Sequence, residues 1–232
     1  TARRGAARRV TTRRRVTAIA GNWESALCLA VYALGFSFAY TTLSVGTGAL
    51  ILFAAVQATM MIAAIRAGER PGVFKWVGIA LAFSGLVYLV SPGMHAPPAL
   101  GAALMGCAGI AWGVYSLRGR GQSSPLLETA GNFIRAAPFA AAISIATISA
   151  ANSTWTGIIL AIASGALASG VGYVIWYAAL RGLTTTRAAT AQLLVPALAA
   201  LAGVVFLAED LTLRLILSSI LILGGVALGL TG

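Results

Sequence analysis

Eight apolar runs, each long enough to cross a lipid bilayer, dominate the sequence. Each run holds roughly 18 to 25 residues, and a hydrocarbon core of about 30 Å needs about 20 helical residues. Only 9% of the 232 residues are charged, whereas a soluble domain carries about 25%. The runs lack the alternating pattern of a membrane β-barrel, so helices remain as the way to pair every backbone amide in lipid. The sequence therefore predicts an all-α, polytopic membrane protein.

Short connections that carry turn residues separate the eight predicted spans. The spans cover residues 23–43, 47–66, 73–90, 99–117, 126–148, 155–180, 188–207 and 211–230. Seven of the sixteen Lys and Arg residues lie in the N-terminal tract "TARRGAARRVTTRRR", and seven more flank the second, fourth and sixth connections. If the spans alternate, all fourteen fall on one side, which leaves Arg214 alone on the other side and Arg135 within a span.

Cationic residues collect in short cytoplasmic loops. We therefore predict a multi-pass protein of the cell (inner) membrane, with the N-terminal arginine tract and the C-terminus in the cytoplasm. The tract is interpreted as a topology signal that contacts anionic lipid headgroups. Nucleic-acid binding is not predicted, because no aromatic residue interleaves the tract and apolar spans follow it directly.

Two distant parts of the chain resemble each other. Residues 54–89 align with residues 193–228, and the acid Glu69 corresponds to Glu209. The charge distribution assigns Glu69 to the cytoplasmic side and Glu209 to the outer side, so the two copies run in opposite directions. Such inverted repeats occur in many secondary transporters. A repeat unit runs in the opposite direction to its copy only if it has an odd number of spans. The second copy has five spans, whereas the first shows only three. We therefore expect two helices before Thr1 and ten in the intact protein.

The motifs "AAIRAGERP" (63–71) and "GVVFLAEDL" (203–211) resemble the five-helix EamA-type repeat of the drug/metabolite transporter superfamily, as does "RGLTTTRAATAQLLVPALAAL" (181–201). The resemblance covers nearly the whole chain from Trp23. Two positions depart from the family pattern: Gln57 stands where the first repeat often has proline, and "AED" replaces the commoner "GE".

This resemblance implies three parts and a function. A basic cytoplasmic segment (1–22) would precede the last three helices of a first EamA repeat (23–93) and a complete second repeat (94–232). The most similar members are bacterial inner-membrane exporters of amino acids and related metabolites. Export of small metabolites, mainly neutral or aromatic amino acids, by alternating access is therefore implied. Export of nucleotide sugars or cationic drugs, and a role as a non-transporting assembly subunit, are the alternatives.

Aromatic side chains recur on single helix faces, where they would offer a small solute apolar contact and hydrogen-bonding tips. The candidates for the substrate cavity are Tyr32, Phe36, Tyr40, Gln57, Trp112, Tyr115, Arg135, Tyr173, Trp176, Tyr177 and Gln192. The aromatic candidates fit helix packing or an interfacial belt equally well. The amide of Gln57 either bonds a neighbouring helix or faces substrate. Arg135 either attracts a substrate carboxylate or extends toward the cytoplasmic headgroups, and Pro196 would kink its helix as a hinge.

No cofactor, metal site or enzymatic activity is predicted. Cys28 and Cys107 lie in apolar runs, and the single histidine, His95, lies in a proline-rich loop without an acidic cluster. The expected partners are a small-molecule substrate and membrane lipid. The small residues Gly225 and Gly229 predict close helix approach and, weakly, a homodimer, so a monomer or weak homodimer is expected.

Overall fold

A computed structural model describes residues 20–68, 72–91, 96–119, 124–150, 154–172, 175 and 194–231. Every regular element in these ranges is helical. The helices are α1 (Trp23–Ala39), α2 (Val45–Arg66), α3 (Val73–Val90), α4 (Ala99–Arg118), α5 (Pro125–Ala146), α6 (Trp155–Ile162), α7 (Leu194–Leu207) and α8 (Leu213–Thr231). A 3₁₀ turn (Ile148–Ala150) follows α5, and a π-helix (Ala163–Val171) continues α6. Each of the eight predicted spans contains a described helix, and the described helix ends lie within a few residues of the predicted ones. The end of the sixth span and the start of the seventh lie outside the described residues.

Polar residues directly before the apolar runs fix where several helices begin. The side chain of Asn22 accepts a hydrogen bond from the Ser25 amide at 2.9 Å, which caps α1. Thr154 caps α6 in the same way, through the Gly157 amide at 3.1 Å. Such caps satisfy amides that the first helical turn leaves without a partner.

Two of the described helical stretches, Val45–Ala63 and Ala99–Arg118, are each long and apolar enough to cross a membrane on their own. The other apolar helical stretches in the described ranges are 10–17 residues long. Buried residues make up 44% of the first stretch and 39% of the second. Most of the remaining side-chain surface is apolar, as expected of helices that face lipid.

Helix α2 lies at the centre of the packing, in contact with α3, α4, α7 and α8. Helix α1 packs on α4 and α5, and α3 packs along α8. The largest fully buried side chains of the core include Leu50, Leu89, Met105 and Ile222, one from each of α2, α3, α4 and α8. The core therefore joins the helices of the first repeat to those of the second.

The two acid-containing loops lie at opposite ends of α2. The carboxylate of Glu209 accepts a hydrogen bond from the Val45 amide, at the start of α2, whereas Gly68 directly follows the end of this helix. A helix of 22 residues separates these points by roughly 33 Å. The opposite orientation of the two copies, which the charge pattern predicts, is therefore confirmed. We call the end of the bundle at which α1 begins the proximal end, and the other the distal end.

The two loops also share a backbone conformation. Gly68 has φ +91°, and Ala208, which stands in the corresponding place before Glu209, has φ +54°. Both residues lie in the left-handed region, where glycine is free of strain and alanine is not. This geometry explains why glycine is the commoner residue at the position that Ala208 occupies.

Close backbone contact joins α3 to α8. A side chain at Gly225 would meet the backbone nitrogen of Ala82 and the carbonyl oxygen of Gly78 at 2.5 Å, and Gly229 lies against Gly78 as well. The face that Gly225 and Gly229 form is therefore covered within the chain, so these residues do not provide the dimer contact suggested by their spacing.

Arg214, the one cation predicted on the distal side, has a structural role. Its guanidinium donates to the carbonyl oxygens of Ser91 at 2.5 Å and Leu89 at 3.4 Å, and it lies 5.6 Å from the centre of the Tyr88 ring. These carbonyls end α3, where the helix dipole favours a positive charge. Arg214 thus ties the start of α8 to the end of α3.

Helix α6 differs from the rest, because every residue in Trp155–Ile162 is exposed and neither α6 nor its π-helical continuation has a buried residue. Among the described elements, α6 makes an extensive contact only with that continuation. None of the described residues of α6 lines the cavity between α1, α2 and α7.

Candidate functional site

A cavity of about 580 Å³ lies between α1, α2 and α7, where the corresponding helices of the two copies meet. Aliphatic and aromatic side chains form its wall, together with a single acid. They are Phe36, Tyr40, Leu43, Val45, Ala49, Leu52, Phe53, Val195, Ala199, Leu207 and Glu209. Its volume falls within the range of about 300–1,000 Å³ that small-molecule sites have. We call it the central cavity.

A row of rings runs along α1 from the central cavity toward the proximal end. Tyr40 and Phe36 meet edge to face at 4.7 Å, Phe36 and Tyr32 are 5.6 Å apart, and Tyr32 lies 4.7 Å from Trp112 on α4. Trp112 in turn lies 5.7 Å from Tyr115. The structure thus brings five of the predicted aromatic candidates into one row. Phe36 and Tyr40 line the cavity, whereas the other three pack behind them.

Among the described residues of the cavity wall, only Glu209 carries a carboxylate. One of its oxygens accepts from the Val45 amide at 2.6 Å, and the other lies 3.5 Å from the Gly46 amide. A carboxylate is stabilised there, because the start of a helix carries partial positive charge. The Glu209 amide donates to the Gly203 carbonyl at 3.1 Å, which closes the turn after α7.

A second cavity of about 430 Å³ adjoins the first at the distal end. It shares Leu43, Leu207 and Glu209 with the central cavity, but hydroxyl groups and loop residues form the rest of its wall. Its other members are Thr42, Ser44, Thr47, Ala96, Pro97, Pro98, Ala208, Asp210, Thr212 and Leu215. We call it the vestibule. A solute that leaves the central cavity distally would pass Glu209 and enter more polar surroundings.

Polar side chains join α1, α4 and α5 at the proximal end. Arg118 pairs with Glu24 at 2.5 Å and donates to the Ser25 hydroxyl at 3.0 Å. The Asn132 side chain accepts from the Asn22 amide at 2.9 Å.

Tyr115 extends this network, because its hydroxyl donates to Thr129 at 3.2 Å and accepts from the Asn132 amide group at 3.5 Å. Tyr115, Thr129 and Asn132 are buried, so their hydrogen bonds tie α4 to α5 at this end. We call the eight residues Asn22, Glu24, Ser25, Tyr115, Arg118, Thr129, Asn132 and Arg135 the proximal cluster.

Arg135 belongs to this cluster rather than to the cavity wall. Its guanidinium donates to the Ala20 carbonyl at 2.6 Å and to the Gly131 carbonyl at 3.1 Å. Ala20 directly precedes α1, so the side chain extends toward the proximal end, as the second interpretation of this residue predicts.

Gln57 and Pro196 lie next to the central cavity. Gln57 is half-buried on α2, one turn beyond Phe53 and two turns beyond Ala49, so it shares their helix face. Pro196 follows the wall residue Val195 on α7 and is fully buried. The carbonyl that Pro196 would free belongs to residue 192, so the predicted kink falls outside the described residues.

Four further candidates, Tyr173, Trp176, Tyr177 and Gln192, also lie outside the described residues. Sequence reasoning missed Phe53 and the cavity position of Glu209. The repeat motif indicated that Glu209 lies at a helix end. It did not indicate that Glu209 contacts α2. Within the described ranges, no three His, Cys, Asp or Glu side chains lie together as a metal site would require.

Comparison with known proteins agrees with this architecture. The chain is 49% identical over 216 residues to an uncharacterized protein of Pseudomonas aeruginosa, across 93% of this chain and 75% of that protein. It is 34% identical over 178 residues to the threonine/homoserine exporter RhtA of Salmonella typhimurium, and 32% identical to RhtA of Escherichia coli K12. Each of these two matches covers 73% of this chain and 59% of the exporter. No solved structure matches the chain.

The model of the EamA-like transporter family matches residues 99–231, which is more than half of the chain. Members of this family are polytopic membrane proteins that transport solutes, and the helical bundle, the loops at opposite ends of α2 and the cavity between the two copies agree with that description. The chain therefore belongs to the EamA-like transporter family.

Proposed function

We propose that the protein exports small metabolites across the inner membrane, with neutral amino acids, including aromatic ones, as its main substrates. The observation that carries this proposal is the central cavity, which combines the rings of Phe36 and Tyr40 with the carboxylate of Glu209. Aromatic rings provide broad apolar contact for a side chain. The two exporters named above act on threonine and homoserine, which are neutral amino acids, and this similarity supports the same substrate class here.

The position of the cavity supports alternating access. The central cavity lies between α2 and α7, which are corresponding helices of oppositely oriented copies, and inverted repeats of this kind move against each other around a fixed site. In the conformation described, the proximal cluster ties α1, α4 and α5 together at one end, which would keep that end closed, while the vestibule adjoins the cavity at the other. If each copy adopted the conformation that the other copy has now, the proximal end would open and the distal end would close.

Export also needs a direction in the membrane. The arginine-rich tract precedes α1, and cationic segments remain in the cytoplasm. The proximal end would therefore face the cytoplasm and the vestibule the outside. In this proposal Gln57 faces substrate, and Arg135 extends toward the cytoplasmic headgroups.

Transport of labelled amino acids by the intact protein in proteoliposomes tests the proposal. We expect saturable movement of phenylalanine, leucine or threonine. Phe36→Ala should reduce the rate at least fivefold, since it removes a wall contact worth roughly 1 kcal/mol or more. Gln57→Ala should also reduce the rate, because Gln57 shares the helix face of the wall residues Ala49 and Phe53. The matched control is Phe83→Ala, because Phe83 lies on α3 with 65% of its surface exposed. It should transport at the wild-type rate.

Three outcomes would replace the proposal. Transport of nucleotide sugars or of permanently charged organic cations, without amino acids, would assign one of the alternative substrate classes. Absence of transport for every solute class would favour an assembly subunit. Equal rates in Phe36→Ala and wild type would remove the central cavity as the substrate site.

A further inference from the structure

The turn that positions Glu209 contains a strained backbone conformation. Ala208 adopts φ +54°, a conformation that strains a residue with a Cβ atom, and this turn directs the next side chain toward α2. Gly203, one turn before the end of α7, leaves the space that a carboxylate oxygen of Glu209 fills, because a Cβ atom there would collide with it. The position of this carboxylate is therefore fixed by the backbone of α7, its turn and the start of α2.

The carboxylate retains capacity to bind a solute. It accepts at most two hydrogen bonds from the described residues, one from Val45 and one from Gly46, while an ionised carboxylate offers about four acceptor positions. It lines both the central cavity and the vestibule. A solute on the path between the two cavities therefore passes directly along it.

The charge of the central cavity selects among solutes. None of its wall residues within the described ranges is Lys or Arg, so no described wall residue balances the charge of Glu209. The remaining wall is apolar apart from the hydroxyl group of Tyr40 and backbone groups. An ammonium group, with three donors and a positive charge, complements this arrangement, whereas a phosphate or carboxylate alone would be repelled.

We propose that Glu209 binds the ammonium group of the transported solute, so that the site accepts zwitterionic amino acids and simple amines and rejects solutes that carry only negative charge. This inference rests on the proposed transport function, and it excludes nucleotide sugars from the alternatives. The apolar part of the solute then lies against Phe36, Tyr40 and Phe53.

Three related ligands test the inference on the unaltered, intact protein. Phenylalanine carries both charged groups, phenethylamine lacks the carboxylate, and N-acetylphenylalanine lacks the ammonium group. We expect phenethylamine to bind within a few-fold of phenylalanine, and N-acetylphenylalanine to bind roughly tenfold more weakly or worse, as expected for loss of a charged hydrogen bond. Binding of N-acetylphenylalanine as tightly as of phenylalanine would overturn the inference.

A pair of isosteric substitutions assigns the effect to one carboxylate. Glu209→Gln keeps an oxygen that can accept from the Val45 amide, so α2 remains capped, and we expect both amines to bind at least tenfold more weakly. Asp210→Asn removes the neighbouring charge, which does not reach the central cavity, and we expect less than a twofold change. Equal weakening in both variants, or none in Glu209→Gln, would overturn the assignment.

The two proposals fail in different ways. If phenylalanine and phenethylamine bind the wild-type protein and Glu209→Gln abolishes that binding, but phenylalanine is not transported, amino-acid transport is wrong and the ammonium site stands. If phenylalanine is transported but N-acetylphenylalanine competes equally well, transport stands and the ammonium site is wrong.

Discussion

Replacement of Ala208 by glycine should stabilise the protein, because this residue is the described non-glycine position with a positive φ. A left-handed conformation costs an alanine roughly 1–2 kcal/mol relative to glycine. Glycine also makes the unfolded chain more flexible, which opposes the gain by about 0.4–1 kcal/mol. The Ala208 side chain is exposed, so its removal forfeits little buried surface. The net expectation is a gain of about 0.5–1 kcal/mol.

Thermal unfolding of the detergent-solubilised protein, followed by tryptophan fluorescence at a fixed heating rate, measures this effect. For a chain of this length, about 1 kcal/mol corresponds to a shift of roughly 2–4 °C, so Ala208→Gly should raise the midpoint by about 2 °C. Gly68 occupies the corresponding place in the other copy with φ +91°. Gly68→Ala should therefore lower the midpoint by a similar amount.

The matched control makes the same chemical change where the backbone is helical. Ala103 is exposed inside α4, one turn after its first residue, and glycine in a helix interior costs roughly 0.5–1 kcal/mol. Ala103→Gly should thus lower the midpoint, opposite in sign to Ala208→Gly. If both substitutions lowered it equally, the turn before Glu209 would not carry the strain that we assign to it.

Four further substitutions test the packing, each by the same unfolding measurement. Gly225→Ala should destabilise the protein by about 1–3 kcal/mol because its methyl group meets the backbone of α3. Gly224→Ala should be neutral or stabilising, since a methyl group there meets nothing within 4 Å. If Gly224→Ala were the more destabilising of the two, α8 would pack in another register. Arg214→Met should cost about 0.5–1.5 kcal/mol by leaving the Ser91 carbonyl without its donor, and an unchanged midpoint would show that water replaces the guanidinium. Asn132→Leu should cost about 1–3 kcal/mol, since it removes the acceptor of a backbone amide at the proximal end, and a stabilised variant would contradict the role of the proximal cluster.

The helices could be predicted from the sequence because lipid imposes a length and a composition on each span. The predicted span 73–90 coincides with α3, and the charge pattern gave the opposite orientation of the loops around Gly68 and Glu209. Both inferences depend on local composition, which a single sequence contains. The few-residue difference at the end of α1 arises because Tyr40 to Leu43 form turns rather than a further helical turn.

The site could be predicted only in part, because contacts between distant residues are not recorded in one sequence. Helical spacing brought Tyr32, Phe36 and Tyr40 onto one face, but it could not distinguish the two that line the cavity from the one that packs behind them. The contact of Glu209 with Val45 joins residues 164 positions apart. The spacing of Gly225 and Gly229 predicted close packing, but not that the partner is α3 of the same chain.

Labelling from the two sides of the membrane tests the central claim, that the two copies lie upside down relative to each other around the cavity. Single cysteines at Gly68→Cys and Asp210→Cys, in a chain whose Cys28 and Cys107 are replaced by alanine, would be exposed to a membrane-impermeant maleimide in right-side-out and inside-out vesicles. Our account predicts that the cysteine at 68 reacts only in inside-out vesicles and the cysteine at 210 only in right-side-out vesicles. Reaction of both cysteines from the same side would contradict it.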